Sequence, residues 1–344
     1  MIDSATDAPP PCTTANMFGV EQTFPIGGVG VALAVDKLDQ GLTLDVAVAV
    51  TDKVVILHGD GAGNFGTPSQ VDTPAIGVAI SDFDIVDVRK DLVIWSGNTA
   101  VIRRQDPAVA GTFLAAQPLT GPFTNVRNVS IEFFDNGNLL SDLLVQDDVD
   151  RRVYTQQAGT PGSFGRTANT TGAVGDDLVL AREIDGVFRA DALFVDQAGA
   201  AKVALSSSGG QLQAVATVAT GVTGHAAAFG NFDGDALPDL VIATAAGGVI
   251  FLQDPAAPGT FTQRAGTIAG VIGDALSVID VNVDGTDDIV VPGSVVLQCP
   301  GTPGNFTQVE SVSSVAPALM IDINGNGKPD LLRLVGSDLV VRLQ

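Results

Sequence analysis

The sequence predicts an all-β fold, a seven-bladed β-propeller with four-stranded antiparallel blades, and three observations lead to it. One β-rich pattern recurs at a period of about 48 residues along the 344-residue chain. Seven copies of that pattern fill nearly the whole sequence. The last copy lacks its fourth strand, and the N-terminus carries an unpaired segment that can replace it. Four short β segments per repeat of this length are typical of propeller blades.

The repeats are marked most clearly by β-rich runs that open on an aspartate. These runs begin at Asp45, Asp91, Asp142, Asp191, Asp239, Asp288 and Asp330. A second marker, a G-x-F segment, follows each of the runs except the last, with Leu212 replacing the phenylalanine in the fourth copy. Both markers sit among Gly and Pro turn residues, and no helix-period segment competes with them.

The two ends of the chain predict how the ring closes. The seventh copy stops at Gln344 after DLVVRLQ, and the N-terminus holds the orphan segment NMFGVEQTFPIGG. We therefore expect residues 17–28 to form the outer strand of blade 7, which protects the edge of that sheet. Residues 1–16 are predicted to be a flexible segment and residues 17–344 a single domain. The blades are expected to start near residues 29, 75, 123, 173, 222, 271 and 315.

The excess of acidic residues limits which binding partners the chain can have. The chain has 17 Lys and Arg against 39 Asp and Glu, a formal net charge of −22. Such a field repels nucleic acid and anionic membrane surfaces and attracts cations. No apolar run approaches the length of a membrane helix, and the polar N-terminus has no apolar signal core. We expect a monomer with no nucleic-acid partner and no membrane insertion.

Three loops ahead of these runs, in blades 5, 6 and 7, carry oxygen-bearing side chains at loop positions 1, 3, 5 and 9. Ca²⁺ takes six to eight oxygen ligands, and alternating Asp and Asn in a tight loop can aim them at one centre. Position 7 would add a backbone carbonyl. A solvated Asx turn is the alternative for one loop, but three in-register copies favour calcium. The predicted ligands are Asn231, Asp233, Asp235, Leu237 and Asp239; Asp280, Asn282, Asp284, Thr286 and Asp288; and Asp322, Asn324, Asn326, Lys328 and Asp330.

Other metal motifs fit these loops poorly. An EF-hand needs a Glu at position 12 and a helix after it, whereas position 12 here lies inside an apolar β run. Zn²⁺ prefers His and Cys. The blade 7 loop has two carboxylates against three in each of the others, so it is predicted to bind calcium most weakly. The equivalent loops of blades 1–4 are lengthened or altered, and the sequence leaves open whether they hold metal.

The blocks AFGNFDGDALPDLVIA and VIDVNVDGTDDIVV resemble FG-GAP/VCBS repeats, the family that includes the propeller of integrin alpha subunits. The resemblance covers essentially the whole chain and is strongest in blades 5–7. It implies a seven-bladed fold, a structural calcium in the inner loops and an extracellular or cell-surface setting, with the signal peptide absent from this sequence. The chain lacks integrin-like insertions, so ligand binding is not transferable residue by residue.

Three functions compete. The first is a non-catalytic adhesion or ligand-recognition module for a protein or glycan. The second is a lectin, although one Trp and one Tyr offer few stacking aromatics for sugars. The third is an enzyme, and a related alternative is the non-catalytic propeller domain of a larger secreted enzyme. His58 and His225 are the two candidate near-neutral bases, and a structural role is expected for both, so the chain is predicted not to be an enzyme.

The sequence contains two cysteines, Cys12 and Cys299. Cys299 is expected at the end of the third strand of blade 6 and Cys12 just ahead of the closing strand, on the same face. A disulfide that pins the closing strand is predicted, with two unpaired thiols as the alternative.

Overall fold

A computed structural model describes residues 17–39, 41–84, 89–135, 140–157, 159–160, 162–166, 176–196, 198, 200–213, 216–218, 224–235, 237–273, 275–310 and 318–344. Its strands form seven four-stranded antiparallel sheets and one small extra hairpin. The sheets are arranged as the predicted seven-bladed β-propeller, and the described residues contain no helix. None of these residues belongs to a helix long and apolar enough to cross a membrane.

The strands follow the chain blade by blade. The closing strand β1 spans Gln22–Pro25. Blade 1 consists of β2 (Gly30–Asp36), β3 (Asp45–Val50), β4 (Lys53–Leu57) and β5 (Ser69–Val71). Blade 2 consists of β6 (Gly77–Ser81), β7 (Asp91–Ser96), β8 (Thr99–Arg103) and β11 (Gln117–Pro118), with the extra hairpin β9 (Gln105–Asp106) and β10 (Val109–Phe113). Blade 3 consists of β12 (Asn128–Glu132), β13 (Asp142–Gln146), β14 (Arg151–Gln156) and β15 (Phe164–Arg166).

The remaining blades repeat this order. Blade 4 consists of β16 (Asp176–Arg182), β17 (Asp191–Asp196), β18 (Ala201–Ala204) and β19 (Ala216–Thr217). Blade 5 consists of β20 (Gly224–Gly230), β21 (Asp239–Thr244), β22 (Gly247–Gln253) and β23 (Phe261–Gln263). Blade 6 consists of β24 (Ser277–Ile279), β25 (Asp288–Val291), β26 (Ser294–Gln298) and β27 (Phe306–Glu310). Blade 7 consists of β28 (Ala318–Ile321), β29 (Asp330–Val335) and β30 (Asp338–Arg342), and β1 completes it.

The ring closes as the sequence predicts. Strand β1 pairs antiparallel with β30, with Phe24 opposite Leu339. Backbone hydrogen bonds flank this pairing on both sides, from Gly19 N to Leu343 O at 2.7 Å and from Ile26 N to Ser337 O at 2.9 Å. The Arg333 guanidinium also forms an ion pair with Glu21. The first strand of the chain therefore covers the edge that the last blade would otherwise expose.

Apolar packing joins each blade to the next. The described residues form seven hydrophobic clusters, and each cluster lies between two consecutive blades. The alternation of β3 shows how this is achieved, because Val46 and Val48 pack against blade 7 while Ala47 and Ala49 pack against blade 2. Second strands are buried on both faces, which explains why they read as continuous apolar runs in the sequence.

Blade 2 differs from the predicted pattern in its outer part. In blades 3, 5 and 6 the outer strand begins at the phenylalanine of the G-x-F segment, but the segment that starts at Gly111 does not begin the outer strand of blade 2. Instead, β10 folds back on β9 as a separate hairpin, and the outer strand β11 begins at Gln117. The backbone of Gly111 takes a φ of 71°, which a glycine adopts without steric cost.

Candidate metal centres

The loop that joins the first and second strands of each blade is called here the inner loop. Because every inner loop makes the same connection, all seven lie on one face of the ring. The predicted ligand sets of blades 5, 6 and 7 occupy three neighbouring inner loops, residues 231–239, 280–288 and 322–330. The last residue of each loop is the aspartate that begins the second strand.

That last residue has the same role in all seven blades. The side chains of these aspartates, the anchor aspartates, are at most 1% exposed. In each blade Oδ2 accepts the backbone N–H of an inner-loop residue, and Oδ1 accepts the N–H of a residue at or just beyond the end of the third strand, at 2.7–3.0 Å. The anchor aspartates are Asp45, Asp91, Asp142, Asp191, Asp239, Asp288 and Asp330.

The residue held by Oδ2 is always a buried apolar side chain. It lies at the second position of the loops in blades 5–7, and all seven such residues are at most 3% exposed and pack into the clusters between blades. They are Leu38, Phe83, Phe134, Ile184, Phe232, Val281 and Ile323. The anchor carboxylate thus fixes the inner loop to the interblade core, whether or not the rest of the loop can bind metal.

Glutamine side chains extend this hydrogen-bond network from one blade to its neighbour. Gln105 Nε2 in blade 2 donates to the Leu38 carbonyl of blade 1 at 2.7 Å. Gln298 of blade 6 donates in the same way to the Asn231 carbonyl of blade 5 at 3.2 Å. The carboxylate of Asp287 in blade 6 also accepts the N–H of Asn231 at 2.7 Å. Neighbouring inner loops are therefore tied to one another as well as to their own sheets.

The three predicted calcium loops share one hydrogen-bond pattern, and blade 6 illustrates it. Asp280 Oδ2 accepts the N–H of Gly285 at 2.8 Å, and Asn282 Oδ1 accepts that of Asp284 at 3.1 Å. Asp284 Oδ1 in turn accepts the N–H of Thr286 at 2.9 Å. The side chains at positions 1, 3 and 5 thus fold over the loop, with oxygens facing its own backbone. Positions 3 and 5 bond in the same way in blades 5 and 7. The position 1 side chain accepts the N–H of Gly234 in blade 5 and those of Gly325 and Gly327 in blade 7.

Position 4 of these loops has a left-handed backbone that the sequence reading missed. Gly234 and Gly325 hold it in blades 5 and 7, with φ of 86° and 73°. In blade 6 the residue is Val283, with φ of 59°, and its side chain is 55% exposed. A β-branched residue in this region is strained by about 1–3 kcal/mol, and such strain persists where the surroundings impose it.

The carboxylates of these loops lack a basic partner among the described residues. Within the described part of the chain, no Lys or Arg forms an ion pair with a predicted carboxylate ligand of blades 5–7. Blade 2 differs, because Arg104 Nη1 lies 3.9 Å from Asp84 Oδ2. Blade 1 also differs, because His58 faces its loop carboxylates. The oxygen ligands of blades 5–7 thus suit a hard divalent cation, which would supply the missing positive charge.

Close groups of Asp, Glu and His side chains, the charged or ionisable ligand types, lie in the altered loops. Among the described residues, three groups have ligand atoms that all lie within 4.8 Å of one another. They belong to blades 1, 2 and 4, and the loops of blades 5–7 are not among them. The groups are Asp39, Asp45 and His58; Asp82, Asp84 and Asp91; and Glu183, Asp185 and Asp191.

Burial shifts the acidity of the anchor carboxylates. Desolvation is the largest cause and, together with the charges of nearby Asp284 and Asp280, raises the pKa of Asp288 to about 7. The same causes raise the pKa of Asp91 to about 7 and that of Asp239 to about 6. Desolvation likewise raises the pKa of Asp142 and that of Asp191 to about 6. Backbone hydrogen bonds oppose these shifts without cancelling them.

Cys299 directly follows β26, as expected, and is disulfide-bonded. Cys12 lies outside the described residues, so the pairing of these two cysteines stays a prediction.

Comparison with known proteins supports the fold and leaves the family open. No protein-family model matches the chain, and no curated protein matches it. Among solved structures, an Agrocybe aegerita lectin that recognises non-reducing terminal N-acetylglucosamine is similar, with a TM-score of 0.64, 16% identity, and coverage of 84% of this chain and 82% of the lectin. BBS1N in complex with ARL6DN is similar too, with a TM-score of 0.61, 13% identity, and coverage of 94% and 95%. At these identities the likeness shows the fold alone, and the resemblance to FG-GAP/VCBS repeats stays a prediction.

The raised pKa values predict how the metal-free protein responds to pH. Between about pH 4 and pH 7 the folded chain keeps protons on buried anchor carboxylates that the unfolded chain has released. Its unfolding free energy should therefore fall as the pH rises through this range. Urea unfolding of protein freed of metal by dialysis, from pH 4.5 to 7.5, measures this slope. Repeating it in 0.5 M NaCl screens surface repulsion, so a slope that then vanishes or reverses would contradict the prediction.

Proposed function

We propose that this chain is a calcium-binding β-propeller that serves as a non-catalytic recognition module. One observation carries the proposal: the loops of blades 5–7 gather Asp and Asn oxygens, and no described Lys or Arg pairs with their carboxylates. An exposed carboxylate can remain ionised without a basic partner because water solvates it. The anchors at the base of these loops are buried, however, and burial raises their pKa values because an ionised carboxylate is unfavourable there without a cation.

Calcium would be held by the side chains at positions 1, 3 and 5 and by the carbonyls of Leu237, Thr286 and Lys328. The anchor aspartates would complete each set, because an oxygen that accepts one N–H still has a second lone pair. When bound, the ion supplies positive charge to a loop that otherwise relies on its own N–H groups. The chain's own residues position the loop through the anchor and the apolar residue beneath it.

The ligand proposed for the module is a protein at an extracellular or cell surface, as in adhesion. Extracellular calcium modules bind with dissociation constants of about 10⁻⁴–10⁻³ M, so such sites fill where calcium is plentiful. The solved structure of BBS1N in complex with ARL6DN is an example of a similar fold engaged with a protein. No step in this proposal requires a nucleophile or a general base, and the chain is proposed to act without catalysis.

Glycan binding is the second candidate, and a cleft favours it. A cavity of about 420 Å³ lies between blades 5 and 6, where Arg264, Asn305 and Gln308 offer polar groups beside Phe306 and Ile250. The similar lectin recognises a terminal sugar, which makes the class worth testing. A pocket of mixed polar and apolar lining is the usual form of a small-molecule site.

Calcium should stabilise the folded protein. At 5 mM calcium, sites of the expected strength would each add about 1–2 kcal/mol to the unfolding free energy. The difference between thermal unfolding in calcium and in EGTA measures the total stabilisation, and calorimetric titration counts the sites. Equal unfolding temperatures in the two buffers would contradict the proposal.

Single variants locate the sites without removing an anchor. Asp235→Asn and Asp284→Asn keep the Oδ1 atom that accepts a loop N–H and remove one charge from position 5. Each should weaken one site at least tenfold, because ligand charge tunes calcium affinity. Asp52→Asn, in the exposed turn between β3 and β4 at the end of blade 1 opposite the inner loops, is the control and should bind calcium as the parent does. The weakest of the three parent sites should be that of blade 7.

A glycan array separates the two recognition candidates. Protein recognition predicts no saccharide signal above background, with or without calcium. A specific signal that Gln308→Ala abolishes, while calcium binding is retained, would make glycan binding the function instead.

A further inference from the structure

The inner loop of blade 1 presents a different kind of site from the calcium loops. Its group contains an imidazole, His58, together with Asp39 and Asp45. His58 Nδ1 lies 3.7 Å from Asp45 Oδ1 and 3.8 Å from Asp39 Oδ2. Nδ1 is buried and has no hydrogen-bond partner among the described residues. Two carboxylate oxygens and one ring nitrogen therefore converge on a common point.

The other atoms of these side chains are already engaged, which orients the three ligand atoms. His58 Nε2 forms a hydrogen bond with Ser69 Oγ at 2.9 Å. Asp39 Oδ1 accepts the N–H of Gly41 at 2.5 Å, which leaves Oδ2 facing the imidazole. Asp45 is held by two backbone N–H groups as an anchor aspartate. When the Nε2 proton points to Ser69, Nδ1 presents a lone pair to two negative oxygens, and a cation held by the three atoms would balance that arrangement.

The distances favour a metal ion over a shared proton. An N–H···O hydrogen bond spans about 2.7–3.2 Å, shorter than either separation here. Two ligands bound to a tetrahedral zinc at about 2.0–2.1 Å lie about 3.4 Å apart, which is closer to the observed spans. His58 and Asp39 are partly exposed, with 27% and 32% of their side chains accessible, so an ion can reach the site from solvent.

We propose that Asp39, Asp45 and His58 form a site for a divalent transition metal of the zinc type, distinct from the calcium loops. Imidazole nitrogen is a favoured ligand of Zn²⁺ and Co²⁺ and a poor one for Ca²⁺, which takes oxygen ligands. Three protein ligands leave a coordination position open to water or to a ligand. The site does not depend on the proposed function, since it shares no ligand with blades 5–7.

The test uses untagged full-length protein in 5 mM calcium, which occupies oxygen-only sites. Co²⁺ is added and followed by its visible absorption, and Zn²⁺ binding is measured by calorimetry in the same buffer. The parent should bind one equivalent of Co²⁺ with a visible spectrum that calcium does not displace, and Zn²⁺ should compete for it.

Two variants and a control make the assignment specific. His58→Gln removes the nitrogen ligand, and Asp39→Asn removes a carboxylate while keeping the Oδ1 acceptor for Gly41. Both should weaken Zn²⁺ and Co²⁺ binding at least tenfold. Asp60→Asn changes an exposed carboxylate two residues from His58 that lies outside the group, and it should alter affinity by less than twofold.

Two results would overturn the site. One is a parent protein that shows no Co²⁺ spectrum in calcium, which would assign the space between these side chains to a proton. The other is unchanged affinity in either His58→Gln or Asp39→Asn, with metal-free unfolding confirming that each variant is folded. A failure here would leave calcium binding by blades 5–7 intact, and the reverse also holds.

Discussion

Every blade of this propeller depends on one buried carboxylate. The anchor aspartate begins the second strand and accepts one N–H from the inner loop and one from a residue at or just beyond the end of the third strand. These two backbone segments lie on either side of the anchor in sequence, and no strand pairing joins them directly. Buried N–H groups at such points need an acceptor, and leaving one without a partner costs about 1–3 kcal/mol. One side chain satisfies two of them and holds the apolar residue of the inner loop in the interblade core.

The anchor and the apolar residue hold the loop in place, so the other residues of the inner loop can differ between blades without loss of the fold. The anchor and the apolar residue are present in all seven blades, while the oxygen-bearing residues vary. Where the full set of oxygens is kept, as in blade 6, the carboxylates lack a protein cation within the described residues. Where the loop has changed, a positively charged or ionisable side chain stands nearby, such as Arg104 beside Asp84 or His58 beside Asp45. Every blade thus has the same anchor aspartate contact. The blades differ in which group can balance the negative charge of the buried carboxylate.

Much of the fold could be predicted from the sequence, because blade repetition leaves a periodic signal. The seven second strands begin at the predicted aspartates, and the N-terminal segment completes blade 7. The sequence reading assigned Asp239, Asp288 and Asp330 only as metal ligands. It missed their role as backbone acceptors, because one of the two donors lies 10 to 14 residues further on, at a place fixed only by sheet register.

Other parts of the candidate site left weaker signals. The buried residue at the second loop position is apolar in every blade, as Phe232 is in blade 5, but an apolar side chain offers no metal ligand and so carries no signal in a ligand pattern. The left-handed position 4 is marked by glycine in blades 5 and 7 and is hidden by Val283 in blade 6. The group around His58 could not be predicted, because its ligands come from a loop and from the end of a third strand that the sheet brings together.

Native-state hydrogen exchange tests the role of the anchor aspartates most directly. The amides of Phe134 and Gln156, which donate to Asp142 in blade 3, should exchange only on global unfolding and should do so without calcium. The equivalent amides of the other blades should behave alike, including Val281 and Gln298 in blade 6. Exchange of these amides at the rate of exposed loop amides in calcium-free protein would contradict the account, because the carboxylates would then not hold the loops by themselves.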